Sequence, residues 1–393
     1  MNDLDLHLEH QLRKFEDDGL LRRLVPLAPS GGGRIVVAGA TRLNLSGNDY
    51  LGLAGNRELV AEFYRRITPD SLLERFGPGA SASRLMTGNS VLYEQLEQKL
   101  TGLYGSRRAL VFNSGYHGNA GILPVLAEKG DLIIADKLCH ASLIDGMRLS
   151  RADSIRYRHL DYDHLTTLLK EKRNLYKRVF LVSESVFSMD GDLADLSRLV
   201  ALKKQFGCVL YLDEAHAVGV FGRQGLGLAE QEGVIRDIDL LFGTFGKALA
   251  GLGGFVICSP QVGDYLVNRA RPLIYSTGLP PVCLNWLLFV LDRVPAMADE
   301  RSKLLEMAEL LRRELVREGL TTGGASQIIP VLIGDSTKTL AAAEKLRAGG
   351  FWVTAVRPPT VPAGTARLRL SLSAPFSPED LAPLPGLIKT ALG

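Results

Sequence analysis

The stretch VLYLDEAH, from Val209 to His216, decides the fold of this 393-residue chain. Four apolar residues run directly into Asp213, and a continuous apolar run of this kind is typical of a parallel strand that is buried on both faces. Similar runs recur before and after it, separated by segments with the periodicity of helices. Strands that alternate with helices of this length predict an α/β fold with a mostly parallel sheet between two layers of helices.

Seven segments, most of them apolar runs, predict the strands of this sheet. They lie at 109–112, 132–135, 154–157, 178–183, 209–213, 240–242 and 254–257.

The rest of the chain predicts an N-terminal helix and arm over 1–45, a large domain over 46–285 and a smaller α+β domain over 286–393. The small domain is expected to begin with one long helix at 286–318. Strands at 328–333, 352–355 and 367–372, a helix at 337–348 and a last helix from Pro378 should follow it.

Composition excludes several classes of function. The net charge is only +3, which gives no reason to expect nucleic acid or a membrane surface as a partner. No apolar run approaches the ~18 residues of a membrane span, and the acidic start of the chain does not resemble a signal peptide. The four cysteines form no C-x-x-C pair, and no His–Cys spacing predicts a metal site. These features favour a cytoplasmic protein.

A second stretch, TFGK from Thr244 to Lys247, precedes the glycine-rich run ALAGLGG. An amine in uncharged surroundings can attack the aldehyde of pyridoxal phosphate (PLP) and form a Schiff base. A carboxylate at a strand end, as Asp213 is, can keep the pyridine nitrogen of PLP protonated. His216 could then bond the phenolic oxygen of the ring. The alternative is a solvated loop lysine and an aspartate that caps a turn. Together, however, the two stretches favour a PLP site.

Other candidates are weaker when each is taken alone. The segment NSGYHG, at 113–118, follows a strand and precedes a helix, so its N–H groups could bind a phosphate. His140 could stack on the ring, although a histidine at a helix start is the simpler reading. Ser188 could reach the cofactor or lie in an ordinary turn. Arg367 and Arg369 could clamp a carboxylate, but their alternation fits an exposed edge strand better.

Taken together, DEAH at 213–216, TFGK at 244–247 and VFSMDGD at 186–192 resemble the α-oxoamine synthase family of fold-type I PLP enzymes. The similarity begins at SGNDYLGL, at 46–53, and continues to the C-terminus. It implies a large domain with a mostly parallel seven-stranded sheet and a smaller C-terminal domain. It also implies an active site at the interface of a homodimer.

The resemblance assigns a role to each matching residue. Lys247 would carry the Schiff base and move the proton at the substrate Cα, Asp213 would pair with the ring nitrogen, His216 with the ring oxygen, and His140 would stack on the ring. Ser188 would contact the cofactor, and Gly115, Tyr116 and Thr244 would surround its phosphate, together with Thr277 from the partner subunit. Asn48 and Arg369 would orient the carboxylate of the amino acid, Thr360 would line the acyl site, and Arg22 would meet the far end of the acyl substrate.

Within the family, the segment at 357–369 is most similar to members that join L-alanine to a pimeloyl thioester in biotin synthesis. Their products are 8-amino-7-oxononanoate, CO₂ and a free thiol, and the acyl donor is carried by CoA or a carrier protein. The family usually has a small or branched residue at the position of Pro78. This position borders the substrate entrance, so the resemblance does not determine which acyl chain is preferred. The alternatives are a glycine C-acetyltransferase, a PLP lyase or aminotransferase, and a ligand sensor that has this fold but catalyses no reaction.

Overall fold

The structure is a computed structural model that describes residues 2–105 and 107–393. The chain divides into two compact units. The central unit consists of residues 49–188 and 193–302. The terminal unit consists of residues up to 48, 189–192 and 303–393.

The central unit is built on the predicted sheet. Its seven strands follow the spatial order Arg108–Phe112, Gly254–Cys258, Leu240–Thr244, Val209–Asp213, Val179–Glu184, Leu132–Asp136 and Asp153–Tyr157. The five strands from Leu240–Thr244 onward run parallel to one another, whereas Gly254–Cys258 is antiparallel to both of its neighbours. The predicted mostly parallel seven-stranded sheet is therefore confirmed.

Helices cover this sheet, and most begin at a side-chain cap. In the central unit they are Arg57–Tyr64, Leu72–Phe76, Val91–Leu103, Gly115–Leu126, Ala141–Leu149, Tyr162–Lys172, Leu196–Phe206, Leu228–Gln231, Pro260–Arg269, Arg271–Ile274 and Pro281–Leu291. The helix expected after Gly118 begins earlier, at Gly115, because the Ser114 hydroxyl accepts the N–H of His117 at 3.1 Å and caps it. This shift brings Gly115 and Tyr116 into the first turn.

The terminal unit contains two small sheets. One joins Ala28–Gly31, Arg34–Val37, Ala40–Asn44 and Phe351–Trp352, and the other joins Ile328–Gly334, Ala366–Ser371 and Ala355–Val356. The single strand expected at 352–355 is wrong, since it is two short strands in different sheets. The reading of Arg367 and Arg369 as edge residues is also wrong, because their strand is the middle one of three and is buried throughout.

The helices of the terminal unit include Asp3–Asp17, Ser336–Ala348, Pro378–Leu381 and Leu384–Leu392. The single helix expected at 286–318 is two helices, Pro281–Leu291 and Ala298–Arg317, with a short 3₁₀ turn at Val294–Ala296. Pro295 lies in this turn and cannot continue an α-helix, because it lacks an N–H and its ring clashes with the preceding turn.

The unit boundaries differ from the expected ones at 45 and 285. Residues 43 and 44 pair in parallel with Phe351–Trp352, which joins the N-terminal arm to the C-terminal part of the chain. The helix Pro281–Leu291 packs on Leu72–Phe76 and Val91–Leu103, so it belongs to the central unit. In the part of the chain that the structure describes, no single helix is long and apolar enough to cross a membrane. The segments Pro281–Ala296 and Ala298–Arg317 meet that criterion only when taken together across a bend.

Candidate active site

Asp213 lies at the carboxyl end of its strand, which is the middle one of the seven-stranded sheet, and is only 4% exposed. Its Oδ2 accepts a hydrogen bond from Nδ2 of Asn119 at 2.6 Å, and its Oδ1 accepts the N–H of Ala215 at 2.8 Å. Ligands of parallel sheets bind at the carboxyl ends of the strands. Asp213 is therefore a buried carboxylate that two donors hold in place at the expected position for a ligand.

Asn119 extends this arrangement to a neighbouring helix. Besides its bond to Asp213, it donates to the hydroxyl of Ser142 at 3.0 Å, and its Oδ1 accepts the hydroxyl of Tyr211 at 2.7 Å. All of these side chains are buried. The amide of Asn119 thus uses both of its N–H donors and its oxygen acceptor in bonds to buried side chains.

His140 is the N-cap of the helix Ala141–Leu149. Its Nδ1 accepts the N–H of Ser142 at 3.2 Å and lies 2.8 Å from the Ser142 hydroxyl, while its own N–H donates to the buried carboxyl of Glu184. Partial burial lowers the pKa of the imidazole. The negative charge of Asp213 opposes this effect, and the positive charge of Lys247 reinforces it. The residue nevertheless remains exposed, so a neutral imidazole is available to a ligand.

His216 lies three residues beyond Asp213 and is buried. The hydroxyl of Tyr50 lies 2.6 Å from its Nδ1, and the two rings are tilted with centroids 6.0 Å apart. This bond fixes the plane of the imidazole next to the strand end.

Lys247 is half-buried in the loop after the strand Leu240–Thr244. Its charge acts on two groups of the cluster, His140 and Glu184. Burial and the negative charge of Asp213 raise the pKa of the Glu184 carboxyl well above its usual range, whereas Lys247 acts in the opposite direction. The strand before Lys247 pairs in parallel with Val209–Asp213, so the loop that contains Lys247 lies at the same end of the sheet as Asp213.

The glycine-rich segment after Lys247 folds back on the strand end. The N–H of Phe245 donates to the carbonyl of Gly253 at 3.0 Å, and that of Gly251 donates to the carbonyl of Phe245 at 2.8 Å. A Cβ on Gly251 would lie 2.4 Å from Leu287, and one on Gly253 would lie 2.9 Å from the carbonyl oxygen of Phe112. These glycines are thus required by close packing of the protein itself.

The N-terminus of the helix Gly115–Leu126 contacts the hydroxyl of Thr244 beside this loop. A Cβ on Gly115 would lie 3.4 Å from Oγ1 of Thr244, so the first turn of Gly115–Leu126 touches that side chain. The N–H groups at a helix start bind anions readily. Tyr116 is exposed and its hydroxyl donates to Asp145. Thr277 is exposed too, and its carbonyl accepts from Asn113 of the same chain.

These residues of the central unit fit PLP. A strand-end carboxylate can face a ring nitrogen, an exposed neutral imidazole can lie on a ring, a half-buried amine can bond to an aldehyde, and a helix start beside a hydroxyl can hold a phosphate. Ser188, half-buried just beyond the neighbouring strand, can contribute to the same cofactor.

The terminal unit contains the residues that were predicted for the substrates. Arg369 is 9% exposed and donates to Oδ1 of Asn48 at 3.3 Å, so the two residues assigned to the amino-acid carboxylate lie side by side. The neighbouring Arg367 instead forms an ion pair with Asp190 and bonds the carbonyl of Thr365 at 3.0 Å. The two alternating arginines therefore have different partners.

Arg22 and Thr360, which were predicted for the acyl substrate, also meet. Nη2 of Arg22 donates to the Thr360 hydroxyl at 2.9 Å, although 338 positions separate them, and both residues are exposed. Arg357 donates to the carbonyl of Gly19 nearby, and burial followed by the charge of Arg22 lowers its pKa. This end of the terminal unit is therefore positively charged.

Sequence reasoning missed Asn119, Ser142, Tyr50 and Glu184. Asn119 and Glu184 are polar residues among mostly apolar or small ones, and that is the only signal that the sequence offers for them. Tyr50 and Ser142 lie close to other polar residues, so their segments offer no such signal. Their partners come from other elements, so only the fold reveals the bonds. Among the described residues, no group of His, Cys, Asp and Glu is arranged to hold a metal ion.

Comparisons with known proteins agree with this geometry. A model of the class I and II aminotransferase family matches residues 40–385. A protein named 8-amino-7-oxononanoate synthase from Chlorobaculum parvum is 47% identical over 378 residues, which are 96% of each chain.

Solved structures are similar over nearly the whole chain. Serine palmitoyltransferase from S. paucimobilis, solved with a bound PLP–myriocin aldimine, has a TM-score of 0.90 and 29% identity, and the match covers 100% of this chain and 98% of that one. A structure of 8-amino-7-oxononanoate synthase from Francisella tularensis has a TM-score of 0.74 and 26% identity over 89% of this chain and 97% of that one.

Proposed function

This chain belongs to the class I and II aminotransferase family, and we propose that it is a PLP-dependent acyltransferase that joins L-alanine to a pimeloyl thioester. The reaction forms a bond between Cα of alanine and the acyl carbon, expels the thiol, and releases the alanine carboxylate as CO₂. The product is 8-amino-7-oxononanoate, a precursor of biotin. Support comes from the Chlorobaculum parvum protein named 8-amino-7-oxononanoate synthase, which is 47% identical over 96% of this chain.

When bound, PLP supplies an electron sink that stabilises negative charge at the substrate Cα. Lys247 would hold it through its amine, Asp213 at the ring nitrogen, His216 at the ring oxygen, and His140 on the ring face. Gly115, Tyr116 and Thr244 would hold the phosphate, with Ser188 as a further contact.

The proton transfers fall to Lys247. Its amine would take the proton from Cα of the bound amino acid and return a proton to the same carbon after CO₂ has left. Asp213 would keep the proton on the ring nitrogen, since a negative carboxylate stabilises the positive ring. The neutral imidazole of His140 would cover the ring without adding a second positive charge beside Lys247.

Two pairs in the terminal unit would select the substrates. The guanidinium of Arg369 and the amide of Asn48 would bind the carboxylate of alanine, because an arginine offers a planar set of donors that match a carboxylate. Arg22 and Thr360 would bind the far carboxylate of the pimeloyl chain. An acyl group with a charged end is the natural partner for this positively charged surface.

The observation that carries the proposal is the Asp213 carboxylate at the strand end, buried, bonded to Asn119, and close enough to His140 for the charges of Asp213 and Lys247 both to act on that imidazole. A buried carboxylate at one strand end and a half-buried lysine just beyond the neighbouring strand are what binding the ring and the aldehyde of PLP requires.

The test uses purified protein with PLP and follows thiol release. Pimeloyl-CoA with L-alanine should release free thiol, whereas acetyl-CoA with glycine should release little. The pimeloyl thioester of a carrier protein, tested beside pimeloyl-CoA, identifies the carrier that the enzyme prefers. Faster release from acetyl-CoA with glycine would instead identify a glycine C-acetyltransferase. Absence of a PLP band from protein that has been incubated with PLP and then separated from the excess would refute the cofactor.

We also propose a homodimer in which Thr277 reaches the phosphate in the partner's site. Thr277→Ala should then weaken PLP retention, and mixing it with inactive Lys247→Ala subunits should restore intact sites in mixed dimers.

A further inference from the structure

The amide of Asn119 connects two groups that bind different parts of the cofactor. One of its N–H groups bonds the Asp213 carboxylate at 2.6 Å, and the other bonds the hydroxyl of Ser142 at 3.0 Å. Ser142 in turn contacts Nδ1 of His140 through both its hydroxyl, at 2.8 Å, and its N–H, at 3.2 Å. Hydrogen bonds thus run without a gap from Asp213 to His140.

The direction of these bonds follows from the chemistry of the groups. A carboxylate only accepts, so Asn119 must turn its NH₂ group towards Asp213, and its oxygen is left to accept from Tyr211. Since Asn119 also donates to the Ser142 oxygen, the Ser142 hydrogen is directed to its remaining neighbour, Nδ1 of His140.

The state of His140 follows in the same way. Its Nδ1 receives the N–H of Ser142, and a ring nitrogen that accepts a hydrogen bond has no hydrogen of its own. A neutral imidazole must then have its hydrogen on Nε2. The Glu184 carboxyl also accepts the backbone N–H of His140. This bond fixes the backbone from which the ring extends, and the Ser142 bonds fix the tautomer of the ring.

We propose that Asn119 and Ser142 are positioning residues that couple Asp213 to His140, because together they orient the Asp213 carboxylate and keep the His140 hydrogen on Nε2. The proposal rests on the proposed function for the roles of Asp213 and His140 at the cofactor. Replacing Asn119 should therefore weaken PLP retention through Asp213, and replacing Ser142 should change the tautomer of His140.

The test begins with ¹⁵N-histidine NMR of the holoenzyme, in which the His140 signals are identified by their loss in His140→Gln. The wild-type protein should show a hydrogen on Nε2 and an unprotonated Nδ1 near pH 7.5. Ser142→Ala removes the hydroxyl and leaves only the 3.2 Å bond, so a second population with hydrogen on Nδ1 should appear and kcat should fall about tenfold, with a smaller change in the KM for the amino acid. Ser142→Thr, which keeps a hydroxyl, should restore both.

Asn119→Leu removes both donors in a side chain of similar size. PLP affinity should fall by about 10- to 100-fold, because a hydrogen bond to a buried charge is lost. Ser150→Ala is the matched control, since its hydroxyl bonds the Ala127 carbonyl at the other end of the same helix. It should leave the tautomer, kcat and PLP affinity unchanged.

Two results would overturn the proposal. One is a wild-type His140 with its hydrogen on Nδ1, and the other is a Ser142→Ala enzyme with an unchanged tautomer and an unchanged kcat. If Asn119→Leu fails to fold, the ¹⁵N spectra of the wild type and of the two Ser142 variants still test the proposal. The spectra need no substrate, so a protein that shows the expected tautomers but does not use alanine would refute the proposed function and leave the coupling intact.

Discussion

The groups around Asp213 and the pair Arg22–Thr360 differ in how the protein holds them. Asp213, Asn119 and Ser142 are 4%, 2% and 1% exposed, and each has more than one hydrogen-bond partner. Arg22 and Thr360 are exposed and meet through one bond of 2.9 Å.

This difference indicates which of the two groups of residues tolerates substitution. A buried network with every group bonded is costly to change, because removing one partner leaves another unsatisfied away from water. An exposed pair can be replaced with little effect on folding. Under the proposed function, the groups that act at Cα are therefore held in the interior, whereas the groups proposed for the acyl chain lie at the surface.

The largest effect should come from Lys247→Ala. The variant loses both the amine that bonds the cofactor and the group that moves the proton at Cα, so we expect turnover to fall by roughly 10⁴-fold or more. The fold should persist, since Lys247 is half-buried in a loop. Thiol release measures the first effect and thermal unfolding the second. A variant that retains a near-normal rate would remove Lys247 from the mechanism.

Asp213→Asn should have the next largest effect, a fall of about 10²- to 10³-fold in kcat, because the negative charge at the ring nitrogen is lost. Asp136→Asn is the matched control. Asp136 also ends a strand of this sheet, is 0% exposed, and accepts from His159 at 2.8 Å and from the N–H groups of Leu138 and Leu160.

We expect Asp136→Asn to destabilise the fold by about 1–3 kcal/mol and to leave the visible spectrum of bound PLP unchanged. Only Asp213→Asn should shift that spectrum. Equal losses of rate in the two variants would mean that Asp213 acts through the fold alone.

Glu214 provides a test of the buried region by pH. It is fully buried and accepts from the Ser185 hydroxyl at 2.6 Å and from the N–H groups of Leu228 and Ala229, and burial raises its pKa from 4.5 to about 7. In the unfolded chain this carboxyl loses its proton near pH 4.5, whereas in the folded protein it does so near 7. Its contribution to stability is therefore complete below pH 4.5 and is lost as the pH rises to 7.

Glu214→Gln stays neutral, so the free energy of unfolding of this variant should fall less between pH 4.5 and 7 than that of the wild type, by on the order of 3 kcal/mol. Urea denaturation at several pH values measures this difference. Glu230→Gln is the control, because Glu230 accepts from the N–H groups of Gln224 and Leu226 in the same loop. Parallel pH curves for wild type and Glu214→Gln would contradict the expectation.

The sequence predicted much of the buried region for a physical reason. Most strands of the central sheet are continuous apolar runs, and Asp213 and Lys247 stand out because they are charged residues at or just beyond the ends of such runs. The order of these segments therefore predicted the sheet, and it placed both candidate residues at the carboxyl ends of neighbouring strands.

What the sequence did not reveal depends on tertiary contacts. Asn119 lies in a helix of small and apolar residues, and its partner Asp213 is 94 positions away. Arg22 and Thr360 came only from resemblance, and neither lies in a periodic element. The break at Pro295 was missed because the apolar pattern continues on both sides of it, although proline itself was a visible signal.

The smallest effect should come from Arg22→Ala, and it tests the surface region. Arg22 and Thr360 share one exposed bond, so each single variant and the double variant should unfold within about 1 kcal/mol of the wild type. Loss of a charged donor to the acyl end should raise the KM for pimeloyl-CoA about tenfold and change kcat less than about twofold. Arg23→Ala is the control, since Arg23 is the next exposed arginine and pairs with Glu16 at 3.3 Å.

The acyl donor decides what Arg22 binds. With a pimeloyl thioester whose far carboxylate is a methyl ester, wild type and Arg22→Ala should have similar KM values, because the charge that Arg22 would bind is missing. If Arg22→Ala instead loses the same factor with both donors, Arg22 binds the thioester carrier, and the preference for a pimeloyl chain must come from elsewhere. A loss in kcat with an unchanged KM would mean that Arg22 affects the reaction at Cα, as the buried groups are proposed to do. That result would contradict the proposed difference between the buried region and the surface pair.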